Sequence, residues 1–193
     1  MKREELLQRV KEQMNEHRFT HTLGVASTSV KLAKKYGADP EQAELAGLLH
    51  DFCKYWDKER MKAIIEESDQ IPSDLLQYDK ELWHAPVGAV VVKNEMGVSD
   101  PLVLNAIASH TSGRPGMGLL EKILWLADYI EPGRHFPGVD EVREIAEKSL
   151  DQALITAMGN TIIFLVKQKK QIYPLTLETY NDLIVSSALT REE

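Results

Sequence analysis

The stretch AGLLHDFCKYW, residues 46–56, runs five small or apolar residues into an adjacent histidine and aspartate, His50 and Asp51, with Lys54 just beyond. A helix whose core face gives way to polar residues at its end produces that pattern with no chemistry attached. Two good metal ligands followed by a cation suited to an anion produce it equally well. The dipeptide cannot separate these readings. The decision falls to the rest of the chain, which either supplies further ligands in similar settings or does not.

Composition sets the frame. A chain of 193 residues is long enough for a real core and predicts one domain over 1–193, with the main body at about 17–183 and helical extensions at both ends. Hydrophobic content of 43% with 27% charged residues is that of a globular protein in water. No apolar stretch has the length of a membrane span, and MKREELLQRVKEQM is too charged for a secretory signal. The single cysteine, Cys53, excludes an internal disulfide and fits a reducing cytoplasm, the expected location. A formal net charge of −7 argues against broad binding to nucleic acid, while leaving room for a local positive pocket.

The periodicity is helical almost throughout. Leu6, Leu7, Val10 and Met14 share one face of a first short helix. A second runs from about Phe19 to Tyr36 and stops at Gly37. Asp39 and Pro40 open a third, with Gln42 where a capping-box partner belongs, and Asp100-Pro101 repeats the device. Further helical patterns cover roughly 58–67, 80–96, 118–130, 139–148, 150–170 and 175–189. Alternating strand patterns are scarce and no Asn-Gly or Asp-Gly hairpin turn occurs. The fold class is therefore all-α, a bundle of about eight or nine helices. Two glycine- and proline-rich segments, HTSGRPGMG at 110–118 and EPGRHFPGVD at 131–140, interrupt it beside potential ligands.

Four of the six histidines, His21, His50, His84 and His110, fall within or at the end of four different predicted helices. Asp128 lies in a fifth, inside the apolar run ILWLADYI, and a carboxylate there is costly unless paired or bound to a metal. Each has a plain alternative. A lone histidine on an apolar helix is more often a hydrogen-bonded core residue, Asp128 could pair with Arg134, and Lys54 could be a solvated lysine. His17 and His135 read as surface histidines, and Cys53 as a helix-end residue without catalytic work. The joint pattern is what changes the balance.

The order His21, His50-Asp51, Asp128 resembles the H…HD…D motif of the HD-domain metal-dependent phosphohydrolases, an all-α superfamily, and His84 with His110 resembles the pair added in members holding two metals. FTHTLGVASTSVKLAKKYG, AGLLHDFCKYW, LWHAPVGAVV, SHTSG, LEKILWLADYIEPGR and YPLTLETYNDL are similar, in that order, to the YqeK family of bacterial HD-domain proteins. The likeness covers about residues 17–183, and ADYIEPGR and HTSG are its most specific pieces.

The resemblance implies a symmetrical diadenosine tetraphosphate hydrolase that uses iron, as two ions, and releases two ADP. Manganese or another divalent metal suits the same imidazole and carboxylate donors. It places His21, His50, Asp51 and Asp128 on one ion, and His84, His110 and a bridging oxygen of Asp51 on the other. Ions ~3.5–4 Å apart could share a hydroxide that attacks phosphorus, with Asp51, His84, His110 and Lys54 in catalytic roles.

Several residues are suited to the substrate. His21, His84, His110 and Asp128 border it as ligands. Arg18 lies one helical turn before His21, and Lys54 shares a helical face with His50 and Asp51. Thr111 offers a hydroxyl and Arg134 a bidentate phosphate contact. Ile172, Tyr173, Pro174, Leu175 and Thr176 offer backbone groups and a ring for a nucleobase. The expected partners are the dinucleotide and its ADP product; a homodimer is compatible with the chain, and neither nucleic acid nor membrane is expected. Two readings stay open beside this one. The ligands equally suit another HD phosphohydrolase, such as a nucleoside 5′-monophosphatase or an RNA-end phosphatase, and the fold suits a nucleotide-binding sensor without catalysis.

Overall fold

The computed structural model describes residues 2–189. Ten α-helices occur among them: α1 (Arg3–Lys11), α2 (Glu16–Tyr36), α3 (Pro40–Leu49), α4 (Lys58–Glu67), α5 (His84–Met96), α6 (Pro101–Ser109), α7 (Leu119–Ile130), α8 (Val139–Ala146), α9 (Leu150–Lys167) and α10 (Pro174–Leu189). Two short 3₁₀ turns, Ser73–Gln77 and Lys80–Leu82, connect α4 to α5. No strand is present among the described residues. The all-α class holds, and the total slightly exceeds the expected eight or nine, although each of the ten helices, α8 included, falls on one of the helical patterns read from the sequence. Gly138, at φ 91°, breaks the chain just before α8.

The start signals work as their chemistry dictates, with one correction. Asp39 accepts hydrogen bonds from the backbone N–H groups of Glu41 and Gln42 and so caps α3. Gln42 does not close a capping box. Its side-chain amide reaches across to the Asp100 carboxylate at 2.7 Å, tying the start of α3 to the start of α6. The pattern over 80–96 also divides. Asp79 caps the turn at 80–82, the Trp83 indole donates to the Leu75 carbonyl at 3.0 Å, and α5 begins only at His84. That break puts His84 at the first position of α5. The pattern over 150–170 stops at Lys167, and Lys169 takes a positive φ of 53°.

Helices α2, α3, α6 and α7 pack on one another, with α5 against α6 and the α9–α10 hairpin against α7 and α8. Val25, Leu49, Ile107, Leu124 and Leu126 fill the space between them and are fully buried. Loss of apolar surface to water is the main term holding such a bundle together. The tightest approach is between α2 and α3. A Cβ built on Gly47 would lie 2.6 Å from the Ala26 Cα, so only glycine allows the two backbones this close. The packing brings the ends of α3 and α6, the start of α5, the second turn of α2 and the last turn of α7 to one place.

Candidate metal centre

Those five positions carry His50, His110, His84, His21 and Asp128, and Asp51 sits among them. His21, His50, Asp51, His84 and His110 are buried, while the Asp128 side chain is 24% exposed. Asp51 is central. Its Oδ2 lies 3.2 Å from His50 Nε2 and 3.7 Å from His21 Nε2. Its Oδ1 lies 3.0 Å from His84 Nε2 and 3.8 Å from His110 Nε2. One carboxylate thus presents a different oxygen to each of two histidine pairs. Asp128 Oδ1 completes the first side at 3.1 Å from His21 Nε2.

Ring orientation decides whether these atoms can act as ligands. His50 donates from Nδ1 to the Gly47 carbonyl and His110 from Nδ1 to the Ile107 carbonyl, each at 2.7 Å. His21 Nδ1 lies 3.0 Å from Glu131 Oε1, where it donates to a carboxylate. In all three rings the Nδ1 proton is committed, so the neutral ring turns its Nε2 lone pair to the cluster. The buried Nε2 atoms of His21 and His50 make no hydrogen bond, although carboxylate oxygens lie within 3.2 Å of both. Close donors that do not aim at one another are what a shared ion leaves when its ligands point at it.

Distances support the same fit. Three overlapping sets have ligand atoms all within 4.8 Å of one another: His21, His50 and Asp51; His50, His110 and Asp128; and Asp51, His84 and His110. Ligands ~2.0–2.2 Å from a common ion are roughly 3–4.4 Å apart. The set is all imidazole and carboxylate, suited to iron, zinc or manganese.

Charge is arranged to keep the donors available. Burial pushes the Asp51 carboxyl up, but the His50, His110 and His84 imidazoles around it outweigh that and hold it well below the ordinary value. Burial likewise opposes ionisation of Asp128, and His21 and Arg134 override it, again far below the usual carboxylate range. Burial drives the His84 imidazole down to about 4, leaving it neutral as a ligand must be.

The residues expected at the substrate sit as follows. Arg18 reaches Asp51 Oδ2 at 2.9 Å. Arg134 pairs with Asp128 through its guanidinium and donates from Nε to the Asp128 carbonyl, so the pairing weighed from sequence exists alongside the His21 contact. Lys54 shares no helical face with Asp51, because α3 ends at Leu49. A tight turn, with Lys54 N–H donating to the Asp51 carbonyl at 2.9 Å, carries it instead, and its ammonium meets Glu81 at 2.9 Å. Thr111 and Arg134, with His110 and Asp128, border a cavity of about 690 Å³. Ile172, Tyr173, Pro174, Leu175 and Thr176 do not line that cavity. Tyr173 is buried with its ring edge-on to Tyr78, centroids 4.9 Å apart, and Thr176 is buried near it. His17 and His135 are exposed. Cys53 is buried, and burial raises its thiol far above the ordinary value, which leaves it inert.

Sequence reasoning missed the residues that hold the ligands. Glu131, 3% exposed, receives His21 on one oxygen and the Gly133 N–H, at 2.6 Å, on the other. Its signal was a carboxylate at the end of the apolar helix that carries Asp128. Arg143 donates to the carbonyls of Ile130, Glu131 and Arg134 at 2.7–2.9 Å and fixes the loop bearing Arg134. Arg114 grips the buried Glu121, which also receives the Ser109 hydroxyl, and this pins the loop that follows His110.

A helical bundle with buried imidazoles converging on a shared aspartate defines a metal-site protein of the HD-domain class, and the HD-domain model matches residues 18–133. The chain belongs to that family and, within it, to the YqeK group. It is 53% identical to the symmetrical bis(5′-nucleosyl)-tetraphosphatase of Bacillus subtilis, over 97% of this chain and all of that one. It is 51% identical to the protein of the same name from Halalkalibacterium halodurans, over 96% and 98% of the two chains. A crystal structure from Clostridium acetobutylicum, described as a predicted HD superfamily hydrolase involved in NAD metabolism, superposes with a TM-score of 0.92 at 38% identity. That match covers 96% of this chain and 98% of the other.

Proposed function

We propose that this chain hydrolyses diadenosine tetraphosphate symmetrically into two ADP, using iron held as two ions by His21, His50, Asp51, Asp128, His84 and His110. The observation that carries the reading is the division of the Asp51 carboxylate, one oxygen towards His21 and His50 and the other towards His84 and His110. Metal held there supplies Lewis-acid stabilisation of phosphoryl charge and activation of water near neutral pH.

The chain's own residues do the positioning. Committed Nδ1 protons keep three imidazoles aimed inward, the imidazoles of His50, His110 and His84 keep Asp51 ionised, and His21 with Arg134 does the same for Asp128. Arg134 and Thr111, on the cavity wall beside Asp128 and His110, are placed to hold an inner phosphate. Lys54 extends the positive side towards His84, whose charged form it disfavours. A nucleoside monophosphatase or an RNA-end phosphatase could use the same ligands. Near full-length likeness to symmetrical tetraphosphatases favours the dinucleotide.

The test is the product. In oxygen-18 water, diadenosine tetraphosphate should give ADP alone, labelled on its terminal phosphate, because attack must fall on an inner phosphorus. AMP with ATP would refute symmetrical cleavage. Metal analysis of protein purified without chelator should find iron, and a preparation that is active with none would refute the assignment of the metal.

A further inference from the structure

Asp51 hangs on the short segment between α3 and α4, and that segment is clasped to the start of α2. Asn15 works in two directions. Its Oδ1 caps α2 by accepting from the Arg18 N–H at 2.9 Å, and its Nδ2 donates to the Tyr55 hydroxyl at 3.2 Å. Next to Tyr55, the Trp56 indole donates to Gln13 Oε1 at 2.9 Å. Arg18, in the first turn of α2, reaches back across the clasp to Asp51 Oδ2 at 2.9 Å. Burial alone would favour its neutral form, but Asp51 and the hydrogen-bonding hydroxyl of Tyr55 more than offset that, so the guanidinium stays charged. Asn15, Tyr55 and Arg18 thus close a ring beside the ligand aspartate.

Two features separate this ring from ordinary support of the fold. Trp56 packs on the core, whereas Tyr55 is 52% exposed and does not. Its hydroxyl is what the position contributes. Arg18 supplies the second feature. Its side chain is 19% exposed, yet its Nε is buried without a hydrogen-bond partner, a costly state for a donor and one that an incoming acceptor relieves. Arg18 does not line the cavity that Arg134 and Asp128 border, so its charge serves the Asp51 side of the centre. A long arginine side chain has many rotamers to lose, and a guanidinium that must meet one acceptor gains from being tethered beforehand.

We propose that Tyr55 and Asn15 are positioning residues for the hydrolysis, holding the Arg18 guanidinium beside Asp51 where it meets a non-bridging oxygen of the polyphosphate. This inference rests on the hydrolase reading above. Neither residue touches the substrate. They act through Arg18, whose charge-assisted contact strengthens as negative charge grows on the phosphoryl oxygens. Without the Tyr55 hydroxyl the guanidinium spends part of its time in other rotamers, and the contact is missing for that fraction of encounters.

A double-mutant cycle tests the assignment. Tyr55→Phe removes one hydroxyl from a half-exposed ring and should lower kcat/KM for diadenosine tetraphosphate roughly two- to tenfold, the range for one hydrogen bond. Metal content and urea unfolding should be unchanged. Asn15→Asp keeps the cap on α2, since the two residues cap about equally well, but it cannot donate to Tyr55 and should lower kcat/KM as well. In an Arg18→Ala background neither change should lower it further. An equal loss in both backgrounds, an unaltered kcat/KM in Tyr55→Phe, or metal lost along with activity overturns the proposal. The second readout needs no activity. In the metal-free chain carrying nitrogen-15 arginine, the Arg18 Nε–H, identified by its absence in Arg18→Ala, should exchange slowly with water, and faster in Tyr55→Phe. An exchange rate that Tyr55→Phe does not alter overturns the tether. A wild-type chain that makes no ADP from the dinucleotide sinks the hydrolase reading instead, and the exchange rate then still decides the tether.

Discussion

Gly47→Ala should damage the metal centre without touching a ligand. In an ordinary helix interior, glycine to alanine stabilises by ~0.8–1 kcal/mol. Here the new Cβ would lie 2.6 Å from the Ala26 Cα, 3.0 Å from its N and 3.2 Å from its Cβ. Carbon atoms in contact prefer about 3.5–4 Å, so α3 must retreat from α2 by roughly 1 Å. The obstacle is backbone, which cannot swing aside. Overpacking of that kind costs ~1–3 kcal/mol, so after the helical gain the net expectation is a loss of up to about 2 kcal/mol. The same retreat moves the Gly47 carbonyl that orients His50 and separates His50 from His21 on α2. Disturbing such supports typically costs ten- to a hundredfold in metal affinity. Urea unfolding of metal-free protein and a metal titration measure the two effects separately. Gly88 on α5 is the internal control, because a Cβ there meets only Ile107 Cγ2 at 3.7 Å and the His50 carbonyl oxygen at 3.8 Å. Gly88→Ala should be neutral or slightly stabilising. If Gly47→Ala proves as stable as Gly88→Ala and binds metal normally, the close α2–α3 approach is not what places the ligands.

Three other changes probe the centre directly. Asp51→Ala should strip most of the metal and abolish hydrolysis with the helical circular dichroism preserved, and normal metal content in that variant would remove Asp51 from the ligand set. Glu131→Ala should lower metal affinity about ten- to a hundredfold by freeing His21 to rotate, with Glu131→Gln recovering part of the loss in the same titration. Arg134→Ala should reduce kcat/KM for the dinucleotide roughly ten- to a hundredfold while retaining metal, as expected for loss of a charge-assisted phosphate contact worth ~1.5–3 kcal/mol. Metal lost in parallel with activity would instead make Arg134 a support for Asp128.

The fold class and the converging donors were legible because both are written in residue type and period. Asp39-Pro40 and Asp100-Pro101 open α3 and α6 as capping chemistry requires. Histidines and aspartates at the ends of apolar runs converge because those ends are where buried helices stop. Less legible was anything that depends on which element lies across the way. Gln42 looked like a local cap and bonds Asp100, 58 residues distant. Lys54 was placed by helical spacing beyond a helix that had already ended. Glu131 was missed, since only the packing of α7 against α2 puts it beside the His21 Nδ1. Gly47 carried no signal of its own in the sequence, and it is the position that permits the α2–α3 contact.

An acidic chain and a substrate of several phosphates look mismatched only if charge is averaged over the molecule. Surface charges farther than a Debye length of ~8 Å are screened, so the anion responds to what lies within the site. Arg18 is paired with Asp51 and Arg134 with Asp128, so each aspartate at the cluster brings its own guanidinium. These pairs neutralise the carboxylates without metal and avoid the cost of burying them uncompensated. Bound metal takes over that neutralisation, and the guanidinium charge is then surplus beside the opening. Arg134 lines the same cavity as Asp128, so under the proposed function its surplus faces the phosphates. The site therefore becomes attractive to a polyphosphate chiefly when it holds metal. Nucleotide affinity should accordingly rise with metal loading, and by less in Arg134→Ala than in the unaltered chain.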